Sequence, residues 1–152
     1  MGLDMYLTAE KYLSKFSPEE EKKIRAINEL FGITESNDDY RAERVIFNVA
    51  YWRKANAIHG WFVQNIQEGK DECQKTYVKR EQLKELIEVC KQVQENHKKA
   101  KKLLPPTSGF FFGSTDVDEY YFEDLENTVK QLEKVLNDPA LENMTLYYNS
   151  SW

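Results

Sequence analysis

Between Val45 and Ile66 the chain reads VIFNVAYWRKANAIHGWFVQNI, apolar on every side at once, as no other stretch is. Such a run belongs in a core. Arg53, Lys54, Asn56 and His59 interrupt it within seven positions. Polar groups among buried neighbours need partners, or a ligand, to offset the water they give up.

The rest of the pattern resolves into strands and helices. Leu3, Met5 and Leu7 alternate with Asp4, Tyr6 and Thr8, which predicts a half-buried strand over Leu3–Thr8. Ser17-Pro18-Glu19-Glu20 offers an N-cap, a proline for the first helical position and a capping-box glutamate. Ile24, Ile27, Leu30 and Phe31 then recur at helical spacing, so a helix is expected from Pro18 to Phe31, followed by a loop at SNDDY. From Val45 to Tyr51 two readings stand. Val45, Phe47, Val49 and Tyr51 alternate as in a strand, while Ser36, Asn37 and Asp38 would equally cap one long helix. Strand followed by helix is favoured, the helix running from near Trp52 to about Glu68 with Gly69 as its stop.

Thr76–Val78 suits a short strand. From Lys79 a third helix places Leu83, Leu86, Ile87, Cys90, Val93 and His97 on one face, carries Lys98, Lys99, Lys101 and Lys102 in its last turns, and ends at Pro105-Pro106. A final helix has Tyr121, Phe122, Leu125, Val129, Leu132 and Leu136 as its stripe and stops at Asn137-Asp138-Pro139. Met144, Leu146 and Tyr148 alternate in a closing strand over Met144–Asn149. The expected fold is α+β in one domain, residues 1–152. A small antiparallel or mixed sheet, including both terminal strands and the Val45 strand, packs against three or four helices.

Composition changes this picture little, but charge and cysteine usage narrow the function. A net charge of −5 disfavours general nucleic-acid binding, which needs clustered Lys and Arg. Two cysteines, Cys73 and Cys90, are too few for a disulfide framework, and MGLDMYLTAEK shows neither a basic leader nor a long apolar run, so free thiols in a cytosolic setting are expected. No stretch reaches the roughly 18 apolar residues of a membrane span.

Candidate chemistry centres on the interrupted apolar run. On a helix, Arg53, Asn56 and Gly60 share one edge with His59 beside it, a possible pocket wall where a guanidinium meets a phosphate or carboxylate while Asn56 and His59 read neighbouring atoms. The bland alternative pairs Arg53 with a buried carboxylate and has Asn56 cap a strand end. Lys54 points about a quarter-turn away and reads as solvated. Ser114, with Trp52, Trp61, Phe112 and Tyr120 as stacking faces, completes the candidate ligand set. GFFFGST lacks the spacing and the lysine of a phosphate loop and reads as a turn with Thr115 or Asp116 capping the next helix. Three consecutive Phe cannot all enter one core, so at least one should line a groove or a partner surface. The six carboxylates of Asp116–Glu126 fail the EF-hand pattern, since Tyr121 takes its glycine position and Asn127 its bidentate glutamate position. No zinc spacing is present, no catalytic motif appears, and no metal or cofactor is called for. Only an enzymatic alternative, a hydrolase or transferase acting on a phosphorylated small molecule, would give His59 a role, as general base.

MGLDMYL, YWRKANAIHGWF, SGFFFGSTDVDEYYFEDL and YYNSSW together span nearly the whole chain and resemble a family of small proteins encoded by bacteriophages and prophages. The resemblance implies a bacterial cytoplasm during infection. It also implies action by binding: capture of an anionic, nucleotide-like small molecule, or blockade of a host protein. Lys79 departs from the pattern, standing where a serine helix cap would be expected.

Overall fold

A computed structural model describes residues 2–152. Four strands, β1 (Asp4–Tyr12), β2 (Arg44–Arg53), β3 (Thr76–Val78) and β4 (Thr145–Ser151), form one antiparallel sheet in the order β2-β1-β4-β3. The two terminal strands are therefore neighbours. Five helices accompany them among the described residues: α1 (Pro18–Leu30), α2 (Asn56–Asn65), α3 (Arg80–Glu95), the single turn α4 (Ala100–Leu103) and α5 (Glu119–Asn137). The class is α+β, as the periodicities predict. The chain divides into two compact units, one of Glu10–Phe47 and one of Asn48–Trp152 together with the described residues up to Ala9.

In the larger unit the strand alternation is what builds the core. Leu3, Met5 and Leu7 are fully buried, and Ala50, Trp52, Val78, Leu146 and Tyr148 join them, while the alternate positions of the same strands face away. Onto this layer α3 presents Leu83, Leu86, Ile87, Cys90 and Val93, and α5 presents Tyr121, Leu125, Leu132 and Val135. Burying each large apolar side chain contributes about 1.5–3 kcal/mol. Cys90 lies deep enough that burial pushes its thiol up to about 12, so it packs as an inert apolar group. Phe62 of α2 stacks on Tyr148 with ring centroids 3.9 Å apart. β2 is an edge strand, and α5 covers part of it. The Gln131 side-chain amide donates to the Tyr51 carbonyl at 3.0 Å and accepts from the Tyr51 N–H at 2.9 Å, as a neighbouring strand would.

Several boundaries differ from the sequence expectation, each for a local reason. β2 is a strand as favoured, but it continues through Trp52 to Arg53, and α2 begins only at Asn56 because Lys54 adopts a left-handed turn, φ 58°. At its other end α2 stops at Asn65, and Gly69, at φ 75°, closes the turn beyond it by donating to the Val63 carbonyl at 2.8 Å. The predicted third helix ends at Glu95. Asn96 is extended there, and its side chain accepts from Lys98 N–H at 3.2 Å to start a separate 3₁₀ turn, which carries His97. That ring stacks on Phe122, 3.8 Å away. Lys79 supplies no side-chain cap to α3; Gln82 Oε1 accepts from the Lys79 N–H instead, at 2.9 Å. α5 is capped by Asp118, not by Thr115 or Asp116.

In the smaller unit the Ser17 side chain makes no cap. Glu20 turns back to accept from the Ser14 N–H at 2.6 Å, which, with Lys11 3.2 Å away, holds its carboxyl below the usual range. α1 buries only Ile24 and Asn28, leaving Leu30 and Phe31, expected on its apolar face, 82% and 80% exposed. No helix among the described residues is long and apolar enough to cross a membrane.

Candidate functional site

The segment between β2 and α2 positions everything that follows. As the chain leaves the sheet, the Lys54 N–H donates to the Leu3 carbonyl and the Lys54 carbonyl accepts from Asn56 N–H, both at 2.8 Å. A left-handed conformation costs a residue with a Cβ about 1–2 kcal/mol. Two glycines make room for it. A Cβ on Gly113 would stand 3.3 Å from Lys54 Cβ, and one on Gly2 would stand 3.3 Å from Lys54 Cε.

Asn56, at the start of α2, is a clamp on the segment that follows α4. Its Nδ2 donates to the carbonyls of Phe112 at 3.2 Å and Ser114 at 2.8 Å, and its Oδ1 accepts from Thr107 N–H at 3.0 Å. Gly60, one turn on, lets Thr107 lie directly against the helix, since a Cβ there would fall 2.2 Å from Thr107 Oγ1. His59 is fully buried. Its Nδ1 lies 2.6 Å from the Tyr148 hydroxyl and its Nε2 lies 2.8 Å from Asp71 Oδ2, while Asp71 Oδ1 accepts from Trp152 Nε1 at 3.0 Å. Burial holds the Tyr148 phenol well above its usual range, so it keeps its hydrogen; a carboxylate can only accept, so the ring hydrogen on Nε2 faces Asp71, and in the neutral ring Nδ1 then accepts from the Tyr148 hydroxyl. Phe112 closes the set, meeting His59 edge-on at 5.3 Å.

Beside this network a cavity of about 340 Å³ opens, lined by Arg53, Lys54, Ser114, Tyr120, Asp118 and Asp124, among others. Arg53 Nη1 reaches Asp4 Oδ1 at 3.5 Å, and the same oxygen accepts from the Tyr51 hydroxyl at 2.5 Å. With 57% of its side chain exposed, Arg53 is not a buried structural ion. Lys54 makes no ion pair among the described residues. On the α5 side, burial, aided by the carboxylates of Glu123 and Asp118, pushes Asp124 up to about 6. Two cations thus share the cavity with carboxyl groups that can accept hydrogen bonds, and Tyr120, 74% exposed, offers a ring at the mouth. A second cavity, of about 460 Å³, is more apolar and is bordered by Trp61, Leu104 and Thr107, with Asp71 at its edge.

Of the residues singled out from sequence, Arg53, Asn56, Ser114 and Tyr120 line the first cavity. Arg53 belongs to β2, however, so it does not share a helix edge with Asn56 and Gly60, and Asn56 has both amide protons and its carbonyl committed to the backbone. Trp52 is core: it is 2% exposed and donates from Nε1 to Thr128 Oγ1 at 2.9 Å. His59 and Phe112 are sealed against each other, and Trp61 borders the second cavity. Phe110 and Phe111 are exposed while Phe112 is buried, as three consecutive rings require. Sequence reasoning passed over Lys54, Asp118 and Asp124. For the last two the signal was present, a run of carboxylates without a neighbouring Lys or Arg; for Lys54 there was none, because nothing in hydropathy marks a left-handed residue. No family model matches the chain, and no curated protein or solved structure matches it either.

Proposed function

We propose that this is a binding protein that captures a small, anionic, nucleotide-like molecule in the 340 Å³ cavity. The observation that carries the reading is Lys54. A cation without an ion-pair partner among the described residues is held at φ 58° over the cavity, a conformation that costs free energy and that two close glycines accommodate. Lys54 and Arg53 suit a phosphate, Asp118 and Asp124 suit the N–H groups of a base or the hydroxyls of a sugar, and Tyr120 gives a stacking face. In the phage setting that the sequence suggests, capture would remove a signalling nucleotide from the host. His59 has no path to act as a base on a substrate, being buried with both ring nitrogens engaged.

The test is thermal stabilisation by a panel of nucleotides and cyclic dinucleotides, followed by recovery of the compounds. A saturable rise in Tm with one compound, recovered intact and bound about tenfold more weakly by Lys54→Met, fits the reading. No shift with any compound at millimolar concentration ends it, and turnover of a compound would favour the enzymatic alternative. A host-protein reading has its own support in the smaller unit, where Phe16, Leu30 and Phe31 are all at least 80% exposed. Under it, Leu30→Ser with Phe31→Ser would abolish binding of the host partner and leave nucleotide stabilisation intact.

A further inference from the structure

The second cavity, of about 460 Å³, runs along α2 from Ala57 to Asn65 and has the volume of a site for a small organic molecule. Its walls are mostly apolar. Trp61, Leu104 and Pro105 border it, with Thr107 seated against Gly60. Ala57 is the only lining residue it shares with the cavity of Lys54 and Arg53, so the two are separate sites.

Its electrostatic character is the opposite of that first cavity's. Among the described residues that line it, Asp71 is the only charged one, and 27% of its side chain is exposed. The carboxylate accepts from His59 Nε2 at 2.8 Å and from Trp152 Nε1 at 3.0 Å, one bond to each oxygen. Both donors are neutral, because His59 accepts at Nδ1 from the Tyr148 hydroxyl and an indole carries no charge. No lysine or arginine pairs with Asp71 among the described residues. Its negative charge is therefore unmet, and each oxygen keeps a lone pair for a further donor. The peptide dipoles add to it: the cavity reaches residues 63–65 in the last turn of α2, which carries no basic side chain to complement the negative end of the helix. An apolar volume with this charge repels an anion and leaves a neutral guest without the favourable pairing that a cation gains.

We propose that this cavity binds a small organic cation, an ammonium group on an aromatic or alkyl body, with the ammonium donating to Asp71 and the body packed against Trp61, Leu104 and Pro105. The ammonium brings both the donors and the positive charge that Asp71 lacks, and an indole is the best of the aromatic rings as a neighbour for a cation. The inference does not depend on what fills the first cavity. A nucleotide there and an amine here should bind together, without competition.

The experiment is an NMR titration of the intact 15N-labelled protein with phenethylamine at neutral pH, where the amine is charged, and with 2-phenylethanol and phenylacetate as its neutral and anionic counterparts. Saturable movement of the Trp61 indole N–H signal, assigned with Trp61→Phe, is expected with the amine at millimolar concentration. The alcohol should bind about tenfold more weakly, and the acid more weakly still. Asp71→Asn removes the charge and should bring the amine down to the level of the alcohol. Because Asp71 also holds His59 and Trp152, a second variant leaves that network alone. Gln64 is exposed and lines the cavity, so Gln64→Lys sets a positive charge beside it without disturbing the core. It should weaken the amine about two- to fivefold and leave the alcohol unchanged. No saturable shift with the amine at millimolar concentration would overturn the proposal. So would an alcohol or acid that binds as tightly as the amine, or amine binding that is indifferent to Gln64→Lys.

Discussion

Two groups of polar side chains lie on either side of the start of α2, and they differ in how completely they are satisfied. On one side, Asn56, His59, Asp71, Tyr148 and Trp152 are held by a set of mutually satisfied hydrogen bonds, much of it shut away from water. On the other, Lys54, Arg53, Asp118 and Asp124 line an open cavity; Arg53 has a long, exposed pairing and Lys54 has none among the described residues. Both groups stem from the same interruption of an apolar run. Polarity within a core segment therefore does not announce a ligand site by itself. Saturation of hydrogen bonds marks the structural group, and unspent charge at a strained backbone marks the functional candidate.

The strongest way to break this contrast is to remove the clamp. Asn56→Ala would strand one N–H and two carbonyls of the segment holding Thr107, Phe112 and Ser114, and should cost about 2–4 kcal/mol in chemical denaturation. It should also abolish nucleotide-dependent stabilisation, mainly by releasing Gly113 and Ser114, which line the cavity alongside Asn56 itself. A loss below about 0.5 kcal/mol would mean that Asn56 is not structural. Tyr148→Phe comes next. It keeps the stack on Phe62 and deletes only the hydroxyl facing His59 Nδ1, so the expected loss is about 1–2 kcal/mol, with ligand stabilisation unchanged.

Much of the fold could be read from period alone, because the strands and α3 and α5 bury one side of a regular pattern: Leu3, Met5 and Leu7 on β1, or Leu83, Leu86, Ile87, Cys90 and Val93 on α3. What could not be read came from backbone conformation and from saturation. The left turn at Lys54 moves Arg53 from helix to strand and turns Lys54 from a solvated cation into a cavity wall, yet hydropathy is the same in either case. The partners of His59 come from Asp71 and Tyr148, 12 and 89 residues away, beyond any local spacing. Leu30 and Phe31 show the opposite error: their helical spacing is real, but no core of the smaller unit covers them.

The pH dependence of stability sharpens the comparison on its open side. Burial and neighbouring carboxylates raise the Asp124 carboxyl to about 6 in the folded chain, against an ordinary value of 3.8. Between these two pH values the folded state holds a proton that the unfolded state has released, so this group favours folding below about pH 4, and that contribution disappears as pH rises through about 6. Asp124→Asn should therefore flatten the fall in Tm between pH 4 and pH 6.5, and above that range the variant should melt higher than the parent. A parallel offset of the two Tm curves at every pH would show that Asp124 titrates normally and that the cavity does not desolvate it.

The smallest effect is the most discriminating, because its sign separates a strained functional residue from an ordinary one. Lys54 occupies φ 58°, where a residue with a Cβ costs about 1–2 kcal/mol and glycine costs little. Glycine also gains freedom in the unfolded chain, which destabilises by about 0.5–1 kcal/mol. The difference leaves Lys54→Gly about 0 to 1.5 kcal/mol more stable than the parent, with a central expectation of about 0.75. Lys54 is exposed and has no ion pair among the described residues, so removing its side chain forfeits little packing to offset the gain. The same substitution should remove nucleotide-induced stabilisation, whereas Arg53→Ala, which loses only a 3.5 Å pairing with Asp4, should weaken binding with nearly unchanged stability. Paired denaturation curves with and without ligand read both quantities at once. A gain in stability with binding retained would mean that the strain serves only the chain path from β2 into α2, and a loss of stability would mean that the Lys54 stem packs on Gly113 strongly enough to be structural after all.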